Sequence, residues 1–205
     1  MQASFDLTNI LILIVCILVA LVIHEFMHAY VGHVLGDTTA SDQGRLSLNP
    51  LSHIDPLMTV ALPIITIVLF QIPILAAKPV PFNPDNVKYD DYGAALIAAA
   101  GPLSNLVLAI IGALIFNLVQ PIQGTLVYEV FNIFVILNVA LFVFNMLPIP
   151  PLDGSRVVYA FAPEPVRRIM EQLEPIGLFL IIGLVLVGGG AFLTDINQMV
   201  LNLLP

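Results

Sequence analysis

Residues 10–28 read ILILIVCILVALVIHEFMH, an unbroken apolar run that leads directly into His24-Glu25-Phe26-Met27-His28. A helix needs about 20 residues, at a rise of about 1.5 Å each, to cross the hydrocarbon of a bilayer. The run reaches that length only if its helix continues through His24, Glu25 and His28. The expectation is a spanning helix that carries two imidazoles and a carboxylate within the membrane. A cleaved leader is not expected, because the run has neither a basic n-region nor a small-residue cleavage site. The rest of the chain has the same character. It has 205 residues, of which 59% are hydrophobic and 10% charged, whereas soluble domains carry about 25% charged residues. That composition excludes an ordinary globular enzyme, a disordered chain and a disulfide-rich secreted domain. It leaves an integral, multi-pass membrane protein with the lipid bilayer as its surroundings. The net charge of −8 offers no basic patch, so nucleic acid is not an expected partner. Cys16, the single cysteine, has no partner for an internal disulfide.

Three further uncharged stretches follow: Gly93 to Tyr128, long enough to cross once with a turn, Val130 to Leu152, and Pro175 to Thr194. Leu57 to Ala77 is also uncharged, but Pro63, Gln71 and Pro73 interrupt it. If it crosses once, Arg45 lies opposite the other basic residues. If it enters and returns, Arg45, Lys78, Lys88, Arg156, Arg167 and Arg168 share one face, as the cytoplasmic preference of Lys and Arg favours. The second topology is preferred, with five full spans as the alternative. The fold expected is an all-α polytopic membrane protein of four to five transmembrane helices, with a re-entrant segment and a short interfacial helix. That helix is placed at Pro165 to Glu174, where Val166, Ile169, Met170 and Leu173 recur at spacings of three and four; a plain connector is the alternative. Arg45-Leu46-Ser47-Leu48 alternates polar and apolar and reads as a short strand able to pair with an extended peptide, or as an ordinary loop. Residues 1–205 are expected to form a single membrane-embedded domain.

The pentapeptide carries the chemistry. At about 100° per residue, His24 and His28 lie about 40° apart on one helix face, where both can bind one metal ion. Glu25 is turned about 100° from His24, near such an ion without being forced to ligate it. This is the helical metalloprotease arrangement, one zinc ion with Glu25 as general base on a zinc-activated water. His33 falls on the opposite side of the helix. The cost of ionisable groups in lipid strengthens the metal reading, since zinc binding offsets it and an ordinary core histidine offers nothing comparable. A catalytic zinc needs a third protein ligand. Asp153 stands out, delivered by the Val130 to Leu152 stretch behind Pro148, Pro150 and Pro151 and followed by Gly154. Asp37 and Asp55 compete from loops.

With these motifs in view, the chain resembles the site-2 protease family of intramembrane zinc metalloproteases, in its compact branch without a PDZ domain. The likeness rests on His24-Glu25-Phe26-Met27-His28 and on Leu152-Asp153-Gly154 after an Asn-x-x-Pro element beginning at Asn145. Blocks at Gly44 to Pro50, His53 to Pro56, Lys78 to Pro84 and Gly101-Pro102-Leu103-Ser104-Asn105 are similar too, while Met58 stands where the branch commonly has Gly. The resemblance implies that His24, His28 and Asp153 bind zinc, that Glu25 is the catalytic base, and that the site opens near the cytoplasmic side of the cell membrane. Asn145 is a candidate for binding substrate backbone or the oxyanion, with capping of its own helix as the alternative. The expected substrate is a transmembrane protein segment that unwinds locally. A non-proteolytic zinc transporter or sensor is the competing function. The sequence leaves substrate, regulation and oligomeric state open.

Overall fold

The fold is described by a computed structural model covering residues 7–55, 61 and 80–205. Its regular elements among these residues are all helices, with no strand. Helix α1, Leu7–Val34, takes in the apolar run and the whole pentapeptide as one uninterrupted element. It stops at Gly36, whose φ of 104° is the left-handed conformation that glycine adopts without a Cβ penalty. A short α2, Thr39–Asp42, follows. Helix α3, Asp90–Val119, starts with Asp90 and Asp91 at its positive end. Helix α4, Leu126–Asn145, is capped by Thr125, whose hydroxyl accepts from the Tyr128 N–H at 3.4 Å. Helices α5, Asp153–Phe161, and α6, Glu164–Leu173, are short. The last apolar stretch runs as α7, Gly177–Leu184, a π-helical turn, Val185–Gly189, and α8, Gly190–Leu201.

Helices α1, α3 and α4 are each long and apolar enough to cross a membrane. They pack as a bundle in which α3 is central, touching α1, α4 and α5. Small residues permit the close approach: Ala20 and Ala29 of α1 and Ala95, Ala98 and Ala109 of α3 are buried. Leu11, Val15, Val107, Leu114 and Leu118 point outward and are exposed, as lipid-facing side chains should be. The protein is a membrane protein built on helices, as expected. The Pro165 to Glu174 helix is present as α6.

Of the two readings left open at Arg45 to Leu48, strand or ordinary loop, the structure has the loop. Arg45 is buried and its guanidinium donates to the Ser52 carbonyl, while the Ser47 carbonyl is 2.7 Å from His53 Nε2. These contacts fold the segment back on itself and occupy groups that a strand edge would offer. Asp37 anchors the next crossing of the chain. It accepts from the Thr39 N–H at 3.0 Å and the Asn83 N–H at 2.8 Å, and the Lys88 N–H reaches the Leu35 carbonyl. Whether Leu57 to Ala77 spans or re-enters lies outside the described residues.

Candidate active site

Helix α1 presents His24, Glu25 and His28 to the interior of the bundle, each less than 9% exposed. Asp153 arrives from the other direction as the first residue of α5. Its placement depends on Gly154, where a Cβ would lie 2.7 Å from the Leu147 carbonyl oxygen and closer still to that of Met146. Only glycine lets α5 begin so tightly against the end of α4. Arg167 of α6 then secures the other end of α5, donating from Nε to the Ala162 carbonyl at 2.9 Å and from Nη2 to the Ala160 carbonyl at 3.1 Å. The same guanidinium pairs with Asp91 at the start of α3. One side chain therefore ties α5 to the central helix.

The result is a tight triangle of donor atoms. His24 Nε2 and His28 Nε2 are 3.0 Å apart, and Asp153 Oδ2 is 3.2 Å from the first and 3.3 Å from the second. The other ring nitrogens are engaged elsewhere. His28 Nδ1 lies 2.7 Å from the Ile97 carbonyl oxygen, and His24 Nδ1 lies 2.7 Å from Asn105 Oδ1. A carbonyl only accepts, so His28 Nδ1 carries a proton and the ring turns its Nε2 into the triangle. Asp153 Oδ2 is buried and has no hydrogen-bond partner among the described residues. Lone pairs facing one another in a low-dielectric interior repel unless a cation lies between them. In a tetrahedral zinc site with bonds of about 2.0–2.2 Å, neighbouring ligands sit roughly 3.3–3.6 Å apart. The triangle is close to three corners of such a site, and its two nitrogens and one carboxylate oxygen are zinc donors. The residues present fit the metal.

The site opens onto a cavity of about 620 Å³ whose lining also includes Glu25, Phe144, Asn145 and Arg156. Asn145 donates from Nδ2 to the Leu141 carbonyl of its own helix at 3.0 Å. Asp37, a competitor for the third position, is held instead by Thr39 and Asn83. His33 is exposed and outside the triangle, as its helix angle requires. The sequence reading missed Asn138 and the closeness of Gly101 to the histidines. Asn138 of α4 is fully buried in the bundle and bonded to Asn105. Gly101 of α3 faces the two histidines so closely that any side chain would meet them. An uncharged amide within an apolar span is the signal that could have drawn attention to Asn138.

Comparison with known proteins identifies the family. "Putative zinc metalloprotease YwhC" of Bacillus subtilis is 36% identical over 187 residues, which cover 88% of this chain and 82% of that protein. The chain belongs to peptidase family M50. The sequence profile of this family, Peptidase family M50, matches residues 119–188, which hold Asp153 but not the histidine pair. Two mycobacterial proteins described in the same words, both called Rip2, are also similar. The one from Mycolicibacterium smegmatis is 25% identical over 82% of this chain and 64% of its own length. The one from Mycobacterium tuberculosis is 29% identical over 80% of this chain and 63% of its own length. The chain thus spans just under two thirds of each Rip2. No solved structure matches the chain. Membership in M50 makes the protein a zinc metalloendopeptidase and sets aside the transporter or sensor alternative.

Proposed function

We propose that the protein cleaves peptide bonds in transmembrane segments of other membrane proteins, with His24, His28 and Asp153 holding one zinc ion and Glu25 acting as general base. The observation that carries this is the convergence of His24 Nε2, His28 Nε2 and Asp153 Oδ2 beside Glu25, inside a bundle of apolar spans. Zinc, when bound, supplies a Lewis acid that acidifies water and polarises a carbonyl. Among the described residues, Glu25 is the one buried carboxylate next to the triangle that the triangle does not use. It takes a proton from water at the start of hydrolysis and returns it to the leaving amine. The cavity admits an extended stretch of chain, and a substrate must unwind there, because helical carbonyls are held in their own hydrogen bonds. Asn145, on the cavity wall, contacts the substrate backbone or the developing oxyanion. Bulk apolar walls keep water scarce except where the polar groups gather.

Orientation follows from charge. Arg45 comes after α1, Lys88 before α3, and Arg156, Arg167 and Arg168 after α4, so the antiparallel bundle gathers all five at one end. That end faces the cytoplasm of the cell membrane by the preference of basic loops for that side. Residues 1–205 act as a single unit in this scheme.

The deciding experiment compares purified Glu25→Gln and His24→Ala with wild type on a transmembrane substrate. Glu25→Gln should keep stoichiometric zinc and lose roughly 10²–10⁴-fold in cleavage, the usual worth of a general base. His24→Ala should lose both metal and activity. Cleavage by Glu25→Gln at the wild-type rate ends the proposal.

A further inference from the structure

A polar relay leads from His24 Nδ1 across all three long helices. Asn105 Oδ1 lies 2.7 Å from His24 Nδ1. Asn105 Nδ2 donates to Asn138 Oδ1 at 3.0 Å and to the Ala20 carbonyl at 3.3 Å. Asn138 Nδ2 donates to the Phe134 carbonyl at 2.9 Å. Both asparagines are fully buried. Such groups are retained in an apolar bundle only when they are satisfied.

The relay has one possible direction. Phe134 and Ala20 contribute backbone carbonyls, which accept and never donate. Turning over the Asn138 amide would set its oxygen against the Phe134 carbonyl. Turning over Asn105 would set its oxygen against both the Ala20 carbonyl and Asn138 Oδ1. Each amide is therefore fixed with its N–H groups toward the carbonyls and its oxygen passed along the chain. The last oxygen faces His24 Nδ1, which must supply the proton.

We infer that Asn105 and Asn138 are positioning residues that lock His24 in the Nδ1–H tautomer, so that its bare Nε2 meets the metal. They act through His24 and do not touch the ion. His28 reaches the same state more simply, through the Ile97 carbonyl. The inference deepens the metal reading above and rests on it for its consequence, while the tautomer itself is measurable without metal.

Metal-stripped protein labelled with ¹⁵N-histidine reports the tautomer of each ring by its nitrogen shifts, assigned with single His→Gln variants. In wild type, His24 and His28 should both show a protonated Nδ1, whether or not Nε2 takes up a proton once the metal is gone. Asn105→Leu should lose that signature at His24 alone and weaken zinc binding, measured by chelator competition, by roughly 10- to 100-fold. Asn138→Leu should move both readouts the same way by less, because the Ala20 carbonyl still restrains Asn105. Asn138→Ser, which keeps an acceptor for Asn105, should restore them. A wild-type His24 with a bare Nδ1 overturns the inference without any variant. So does unaltered zinc affinity in Asn105→Leu, or an equal change at His28, which general loosening of the bundle would produce. Wild type that binds no zinc would instead defeat the metal reading, and the His24 tautomer would still decide the relay.

Discussion

Replacing Gly101 by alanine adds a single methyl group, yet it should disable the site. A Cβ at residue 101 would lie 2.7 Å from His24 Nε2 and closer still to His28 Nε2. Ordinary contacts of a Cβ begin near 3.4 Å, so both rings must retreat. Neither is free to do so. His24 is held at Nδ1 by Asn105 and His28 by the Ile97 carbonyl, each at 2.7 Å. Moving either ring breaks or stretches a buried hydrogen bond, at a cost of about 1–3 kcal/mol. The two nitrogens displaced are the ones that face the triangle. The cost therefore falls on metal binding, as roughly a 5- to 150-fold weaker zinc dissociation constant. Alanine also favours a helix over glycine by about 1 kcal/mol, so loss of the fold is not the expected cause. The assay is zinc affinity by chelator competition in detergent micelles, with helical circular dichroism recorded on the same samples. Gly101→Ala that binds zinc as tightly as wild type would refute the placement of α3 against the histidines.

Other perturbations test the supports of the site. Arg167→Ala removes the bonds to the Ala160 and Ala162 carbonyls and the pair with Asp91; at this partly exposed position it should lower stability by about 1 kcal/mol and reduce cleavage more than global unfolding explains, which melting and initial rates together would reveal. Gly154→Ala presses a Cβ on the Met146 and Leu147 carbonyls, backbone atoms that cannot swing aside, and should cost about 1–3 kcal/mol with loss of zinc retention through Asp153. Burial pushes the Asp37 carboxyl up, but hydrogen bonds from Thr39 and Asn83 outweigh it and hold the group below its ordinary range. A depressed folded value means that Asp37 stabilises the fold above the ordinary aspartate pKa of about 3.9, and that this contribution fades as pH falls through the folded value. Asp37→Asn should flatten the acid limb of a melting-temperature profile; an unaltered limb would show that Asp37 contributes nothing to it.

The spanning helices could be read from the sequence because lipid imposes a demand that composition alone reveals. The Ile10 to Ile23 run, continued through His28, became α1, and the Gly93 to Tyr128 stretch became α3 with the turn that follows it. The histidine pair was equally visible, since i and i+4 positions share a helix face whatever else the chain does. Asp153 required more: nothing local distinguishes an aspartate before glycine in a turn from one that meets two imidazoles, and only its route out of the α4 stretch pointed to it. Between strand and loop at Arg45 to Leu48 the alternation could not decide, for a physical reason. Alternation records which side chains face in and out, but a strand also needs a neighbour, and here Ser52 and His53 satisfy the segment locally. Gly101 was noticed as part of a block, but not its closeness to the two histidines. Its function lies in a missing side chain, and space left empty for a residue far away in sequence leaves no local pattern. The relay through Asn138 was hidden for a related reason, because its partners lie on three separate helices.

Two corners of the donor triangle come from one turn of α1, whereas the third, Asp153, is synthesised only after α3 and α4. On the proposed reading, a nascent chain emerging from the ribosome cannot hydrolyse anything until those later helices have entered the bilayer and brought Asp153 home. The order of the genetic message thereby delays the onset of proteolysis until assembly is nearly finished. On that reading, a protease whose substrates share its membrane is kept harmless while it is being made.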